Sequence, residues 1–497
     1  MGKHMKKELN LMAFDLGASN GRAMMGSFDG DRIRLSELHR FENGIVDILG
    51  TAYWNPIRLY SELIKGFAAA KTAGISTDCF GIDTWGVDYG LLDKGGSLLG
   101  NVISYRNFTD RDMEEAFEKV PQKEIFDRTG IASLNFNTLF QLYQRKLHDD
   151  PALDNADCLL MVPDLLGYFL TGEKKAEYTN ATTGMLINYR TKDWDRELAG
   201  RFGIPTNIFP EIDRAGQIRG KLTKQLAEEL GTDRISFAAV GTHDTASAVA
   251  AIPGKGSFAF CSSGTWSLFG VETPQAIVND NVFRSNFSNE GTVQGGCRPL
   301  KNIMGMWIIQ ECRRNWQKEN KNYSWNDIVE LAQKEKPLQC IIDPDDSVFF
   351  NPGNMPEIIR EYCRRTNQHI PENDGQIARC VYESLALKYR WAMECLEEIK
   401  GEPIDTLNIV GGGIQNKFLN RCVADAVGRC VITGPIEGAA IGNCLMQAVA
   451  LGELSGIEEV REVVRRSETP EIYEPHPSDE WSEAYEKLLK LIDDKNR

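Results

Sequence analysis

Leu11-Met12-Ala13-Phe14-Asp15-Leu16-Gly17-Ala18-Ser19-Asn20-Gly21-Arg22 is the stretch on which the fold turns. An apolar strand runs into Asp15 and then into a tight turn of small residues. Such a turn lets backbone N–H groups approach a phosphate with no side chain in the way. Asp15, at the strand end, is placed to hold Mg²⁺ through water, because magnesium keeps several waters and takes one or two carboxylates. Residues 22–28 and 32–41 flank Asp29-Gly30, a strong hairpin signal, so the turn joins two antiparallel strands. A P-loop would need a Gly-Lys-Ser/Thr ending and a helix next. An ordinary Gly-rich hairpin turn has the same outline.

The pattern recurs at Ser257-Phe258-Ala259-Phe260-Cys261-Ser262-Ser263-Gly264-Thr265-Trp266-Ser267-Leu268. An apolar strand again meets small hydroxyl residues and a second strand. This predicts an internal duplication, with one phosphate grip near residue 18 and another near 264, on two similar halves facing each other across a cleft. Between them lies Gly241-Thr242-His243-Asp244-Thr245-Ala246-Ser247-Ala248-Val249. A carboxylate, an imidazole and a hydroxyl stand together there at a strand exit, where sites in open α/β sheets lie. Asp244 can accept a proton from a substrate hydroxyl, although a His-Asp-Thr turn also serves as a plain helix cap. Thr406-Leu407-Asn408-Ile409-Val410-Gly411-Gly412-Gly413 takes another strand into three glycines. They leave a backbone surface free of Cβ atoms, against which a planar base and ribose can lie. A simple strand-to-helix turn is the other reading.

In order, these segments resemble the FGGY carbohydrate kinases of the actin/hexokinase/Hsp70 superfamily. The resemblance also rests on Gly81-Ile82-Asp83-Thr84-Trp85-Gly86-Val87-Asp88, Phe136-Asn137-Thr138-Leu139, Tyr178-Thr179-Asn180-Ala181-Thr182-Thr183, Leu300-Lys301-Asn302-Ile303-Met304-Gly305 and Gly411-Gly412-Gly413-Ile414-Gln415-Asn416. It spans residues 10 to about 475. It implies an α/β chain with the two-lobed actin-like ATPase (ribonuclease H-like) fold and ATP in the interlobe cleft. The lobes are expected at 1–250 and 251–475, with a C-terminal surface helix over 476–497.

The resemblance further implies an ATP-dependent kinase of a small ketose, L-rhamnulose first, with L-fuculose or a xylulose as alternatives. Asp244 would be the catalytic base. Gly86, His243, Asp244, Thr245 and Asn302 would face the sugar. Ala18, Ser19, Asn20, Gly21, Arg22, Thr265, Gln310 and Gly412 would face the nucleotide. Asp15 would bind Mg²⁺. Asp83 is expected to be a buried acid that orients loops, and Trp85 either stacks on the sugar or belongs to the core. An actin- or Hsp70-like ATPase acting on a protein partner shares the phosphate turns but needs no sugar-activating base. An ATP-dependent activator of a radical dehydratase would need cluster-binding cysteines.

The formal charge of -15 over 497 residues argues against a general nucleic-acid binder. It leaves ATP binding open, because local amides and Mg²⁺ set the field at a phosphate site. No signal peptide precedes the first strand, no apolar run spans a bilayer, and a cytoplasmic location is expected. Twelve cysteines are dispersed without a Cys-x-x-Cys pair, which suggests neither zinc knuckles nor a redox pair. Cys422 and Cys430 flank a predicted helix; buried thiols are favoured over disulfides. Periodicity predicts helices over 56–73, 374–400, 416–427 and 439–451, a hairpin over 87–99 around Lys94-Gly95-Gly96, and a mainly helical stretch over 107–235.

Overall fold

The run Leu9–Leu16 is buried along almost its whole length, as expected of a strand covered on both faces. It is the centre of a six-stranded sheet ordered Gln217–Lys221, Ser236–Ala239, Cys79–Thr84, Leu9–Leu16, Asn20–Phe28 and Ile33–Glu42. Leu9–Leu16 pairs in parallel with Cys79–Thr84, which pairs in parallel with Ser236–Ala239. The two following strands return antiparallel. Helix Pro56–Thr72 starts at Asn55, whose side chain caps Arg58 N–H, with proline in the first turn. Its Phe67 meets Phe14 and Phe80 edge-on, ring centroids 5.1 and 5.3 Å apart. Helix Gly438–Ala450 covers the opposite face through Ala440, Ile441, Cys444 and Leu445. Its small residues allow that approach: a side chain at Gly442 would collide with the Ser247 carbonyl of helix Asp244–Ala250.

The computed structural model describes residues 8–476 and 478–495; the origin of Met1–Met5 lies outside them. The chain divides into two units. Unit 1 gathers residues up to Pro253 with Glu272–Pro299 and Glu437–Thr469. Unit 2 gathers Gly254–Val271, Leu300–Ile436 and the residues from Pro470 onward. The stretch 251–475 therefore contributes to both units. Within unit 1, residues 107–235 build a second core around Leu139, Phe140, Leu142, Leu159 and Trp194.

Unit 2 repeats the strand–turn–strand start. Phe258–Ser263 pairs antiparallel with Trp266–Gly270 and in parallel with Thr406–Val410, which pairs in parallel with Cys430–Thr433. Helix Asp374–Lys400 buries Ile377, Val381, Leu385, Tyr389, Met393 and Leu396, the predicted stripe. Asn373 caps its start, and Gly401 ends it at φ 76°. The C-terminal helix Asp479–Lys495 docks on it, with Tyr485 Oη donating to Glu394 Oε2 at 2.6 Å.

The expected hairpin over 87–99 forms around Lys94-Gly95-Gly96: Leu92 and Leu98 bridge antiparallel, Leu99 N–H donates to the Leu91 carbonyl at 2.8 Å, and Asp93 N–H donates to the Ser97 carbonyl at 2.9 Å. Tyr89–Leu92 also pairs antiparallel with Cys158–Met161, and Leu91, Leu92, Leu159 and Leu160 are fully or nearly fully buried there. Among the described residues no helix is long and apolar enough to cross a membrane.

Candidate active site

Register in unit 1 brings three carboxylates to one edge of the sheet. Asp15 stands opposite Asp83 in the parallel pairing, and the next bridge on the other side joins Thr84 to His243, just before Asp244. Adjacent strands lie about 4.8 Å apart, so strand exits in register crowd their side chains. Asp83 is fully buried. Its Oδ2 accepts from Asn443 Nδ2 at 2.6 Å, and its Oδ1 has no hydrogen-bond partner among the described residues. Asn443 is fixed in turn by Gln447 Nε2, which donates to Asn443 Oδ1 at 2.8 Å and to the Met12 carbonyl at 2.9 Å. Asp15 accepts from Arg22 Nη2 at 2.5 Å, and the other arm of Arg22 meets Glu437 at 2.5 Å.

These contacts set the protonation. Burial and then the nearby Asp15 push the Asp83 carboxyl well above its ordinary range, against the pull of Asn443. The Asp244 side chain keeps 35 % exposure, yet protein crowds it enough that burial raises its pKa; His243 opposes the rise and Asp15 adds to it. Three acids beside one arginine, with one buried oxygen unpartnered, suit a divalent cation bound through oxygen.

Asp244 opens helix Asp244–Ala250. Its Oδ1 accepts from Thr245 N–H at 2.5 Å and Thr245 Oγ1 at 3.1 Å. His243 Nε2 stands 3.6 Å from the same oxygen. His243 Nδ1 lies 3.2 Å from Glu290 Oε2, which also accepts from the fully buried Arg298 Nη2 at 3.1 Å. Burial alone would raise the Glu290 carboxyl; His243 and Arg298 outweigh it and hold it low. Behind this row, Glu177 accepts from Thr242 Oγ1 at 2.8 Å and Thr179 N–H at 2.9 Å, fixing the turn before His243.

Beside it, Val87 adopts φ 68°, a costly conformation for a β-branched residue. Thr183 Oγ1 donates to the Asn180 carbonyl at 2.7 Å and accepts from Val87 N–H at 3.0 Å, while Thr138 Oγ1 donates to the Val87 carbonyl at 2.6 Å. Gly86 abuts the Thr183 side chain, with which any Cβ would collide. Trp54 and Trp85 lie with rings 4.2 Å apart and donate their indole N–H groups to Asp88 at 2.6 and 2.9 Å. Trp85 is buried, as the core reading expects.

Unit 2 builds a matching edge with different chemistry. Ser262 stands opposite Val410, so the Gly264-Thr265 turn and the three glycines leave neighbouring parallel strands at one end. Thr265 Oγ1 donates to Gln310 Oε1 at 3.2 Å. Gly411 needs its φ of 89°, and side chains at Gly411 or Gly413 would strike Ser263. Only Gly412 faces open space. The flat surface expected of three glycines is therefore one glycine wide; the other two serve packing. Asn302 sits opposite Leu268 on the strand Cys297–Met304, with Oδ1 buried and without a hydrogen-bond partner among the described residues.

The structure thus gathers Asp15, His243, Asp244, Thr245 and Gly86 in unit 1, and Thr265, Gln310, Gly412 and Asn302 in unit 2. In the 17–22 turn, Gly17 N–H donates to the Asn20 carbonyl at 2.9 Å, and Ser19 and Asn20 are exposed. Gly21 makes room for the Phe41 ring, and Arg22 is committed to two carboxylates. Sequence reasoning gave Asp83 only a loop-orienting part, and missed Glu290, Arg298, Glu437 and Asn443. A signal existed for Asp83, since it ends a buried strand as Asp15 does.

Family models for the FGGY family of carbohydrate kinases match this chain over residues 10–251 (N-terminal domain) and 259–451 (C-terminal domain). A rhamnulokinase of Bacteroides thetaiotaomicron is 41 % identical, covering 96 % of this chain and 98 % of its own. A rhamnulokinase of Enterococcus faecalis is 40 % identical, covering 99 % of both chains. Among solved structures, a gluconate kinase from Lactobacillus acidophilus superposes with TM-score 0.82 at 15 % identity, covering 99 % of this chain and 98 % of that one. Plasmodium falciparum glycerol kinase with ADP superposes with TM-score 0.77 at 15 % identity, covering 98 % of each. The fold is the two-lobed α/β fold of the actin-like ATPases. By both halves of its sequence, the chain belongs to the FGGY family of carbohydrate kinases.

Proposed function

We propose that this kinase transfers the γ-phosphoryl group of ATP to the C1 hydroxyl of L-rhamnulose, giving L-rhamnulose 1-phosphate and ADP. The choice of sugar is supported by relatives named rhamnulokinase that align along nearly the whole chain. The observation that carries the chemistry is Asp244: a partly open carboxylate with raised proton affinity, beside Asp15 and Asp83. Asp244 accepts the proton of the sugar hydroxyl as that oxygen attacks in line. Thr245 fixes the Asp244 rotamer, and Glu290 orients His243 beside it. Gly86, His243, Thr245 and Asn302 are the proposed sugar contacts.

Residues 18–22 and Thr265 are the proposed phosphate contacts, with Gly412 and Gln310 toward the nucleoside. Most of the acceleration in phosphoryl transfer comes from positioning and charge stabilisation. Asp15, backed by the unpartnered oxygen of Asp83, would hold Mg²⁺, which neutralises phosphate charge when bound. A cytoplasmic site of action fits twelve free cysteines, and the partners are the ketose and ATP.

A coupled ADP-release screen over L-rhamnulose, L-fuculose, the xyluloses, ribulose and glycerol tests the assignment, with phosphorus NMR to locate the phosphomonoester. A pocket that hydrogen-bonds several hydroxyls rejects wrong epimers, because they leave buried polar groups unpaired. L-Rhamnulose is expected to give the highest kcat/KM. A tenfold preference for another ketose would keep the kinase and discard the substrate.

A further inference from the structure

The twelve cysteines are dispersed in sequence, yet the fold of unit 2 collects three of them. Cys340 lies in the segment after helix Trp325–Lys334, Cys363 near the end of helix Met355–Arg365, and Cys380 in the second turn of helix Asp374–Lys400. Their Sγ atoms all lie within 4.8 Å of one another, and all three residues are buried. Spacing in the sequence, which suggested neither zinc knuckles nor a redox pair, does not show this meeting of three thiols.

The segment carrying Cys340 is pinned to its surroundings. Ile341 N–H donates to Gln368 Oε1 at 2.8 Å, and Gln368 Nε2 returns a bond to the Ile341 carbonyl at 2.7 Å. Ile342 N–H donates to Ser384 Oγ of the Cys380 helix at 2.9 Å. The three sulfurs are thus held by a braced backbone rather than by a floppy loop, as a ligand set requires.

We propose that Cys340, Cys363 and Cys380 form a three-sulfur site for one soft ion, copper(I) by its chemistry. Metal–sulfur bonds of about 2.3 Å in a trigonal arrangement put the sulfurs about 4 Å apart, inside the observed limit. Structural zinc sites are closed by four ligands. No fourth Cys, His, Asp or Glu atom joins this group among the described residues, and burial keeps water from serving as one. Thiolates select soft ions, copper(I) foremost among those content with three sulfurs. Each sulfur that ligates as thiolate releases its proton to solvent; copper stays monovalent and no electron moves. The bound ion would tie the 340 segment to both helices and stabilise the folded state, because the unfolded chain does not gather the three ligands.

The test uses the full reduced chain under anaerobic conditions, titrated with copper(I) supplied as its acetonitrile complex against the chromophoric chelator bicinchoninate. The expected result is withdrawal of one copper(I) per chain, a near-ultraviolet thiolate-to-copper band and a higher Tm. Cys340→Ser, Cys363→Ser and Cys380→Ser should each weaken uptake at least tenfold, while Cys395→Ser, outside the cluster, should not. Circular dichroism checks each fold, and alanine at the same position replaces any serine variant that fails to fold. No uptake in competition, uptake that survives loss of two of the three thiols, or zinc bound as tightly as copper(I) would overturn the proposal.

Discussion

The two sheet edges share one outline and differ in charge. In unit 1, strand Leu9–Leu16, its turn and the parallel strand Cys79–Thr84 deliver Asp15 and Asp83, with Asp244 on the next strand exit. In unit 2, strand Phe258–Ser263, its turn and the parallel strand Thr406–Val410 deliver Ser263, Thr265 and three glycines. At the first edge burial and the nearby Asp15 raise the proton affinities of Asp83 and Asp244; the second presents hydroxyls and glycines. The duplicated scaffold fixes where groups are presented, and the residues at the turns decide whether that place does proton and metal chemistry or offers a bare surface to a nucleotide.

Removing the charge at the first edge should have the largest effect. Asp244→Asn is expected to lower kcat by about 10²–10⁴-fold, the span of a general base, while calorimetry still finds ATP binding. Turnover within a few-fold of the parent would remove Asp244 as the base and with it the distinction between the edges.

Unit 1 buries a further acid whose charge should show in stability rather than in rate. Burial pushes the Asp88 carboxyl up to about 7, against the indole donors of Trp85 and Trp54. The folded chain therefore holds a proton that the unfolded chain, with a pKa near 3.9, has released. That contribution is complete below about pH 4 and is lost as pH rises through about 7, to the order of 4 kcal/mol. Unfolding midpoints should fall between pH 5 and pH 8, and Asp88→Asn should flatten that fall. An unchanged slope in the variant would place the proton elsewhere.

Glu290→Gln sharpens the comparison within unit 1. It keeps the shape but loosens the hold on His243, so kcat should fall about tenfold, roughly 1.4 kcal/mol of barrier, with the KM for ATP unchanged. A rise in that KM instead would tie Glu290 to the nucleotide.

The neutral edge is tested by adjacent glycines. Gly413→Ala drives a methyl group into Ser263 and should cost about 1–3 kcal/mol of stability, read as a lower Tm. Gly412→Ala meets nothing within 4 Å and should leave Tm nearly unchanged while raising the KM for ATP. Equal effects on stability would deny the separate roles of the two positions.

Much of the architecture was legible because its signals are local. Asp29-Gly30 between strand-like runs marks a hairpin, and the stripe from Ile377 to Leu396 marks a helix; neither depends on distant residues. The hairpin around Lys94-Gly95-Gly96 was legible in the same way, whereas the pairing of its first arm with Cys158–Met161 was not, because that partner lies far along the chain. The candidate site was legible only where one segment carries several functional groups, as His243-Asp244-Thr245 does. Glu290 and Arg298 reach His243 from residues 47 and 55 positions away in the chain, and nothing in their own neighbourhoods marks them.

The sequence by itself determined the family, the repeated strand–turn–strand grip and the identity of the acid at the third strand exit, because each is written in contiguous residues whose backbone and side-chain chemistry act at short range. Tertiary structure alone decided that Asp83 shares an edge with Asp15, that Arg22 is tied to Asp15 and Glu437, that one glycine of three is open, and that Cys340, Cys363 and Cys380 meet. The physical reason is common to all four. Proton affinities, ion pairs and ligand sets depend on distances of a few ångströms, and strand register and helix packing set those distances between residues that the chain keeps far apart.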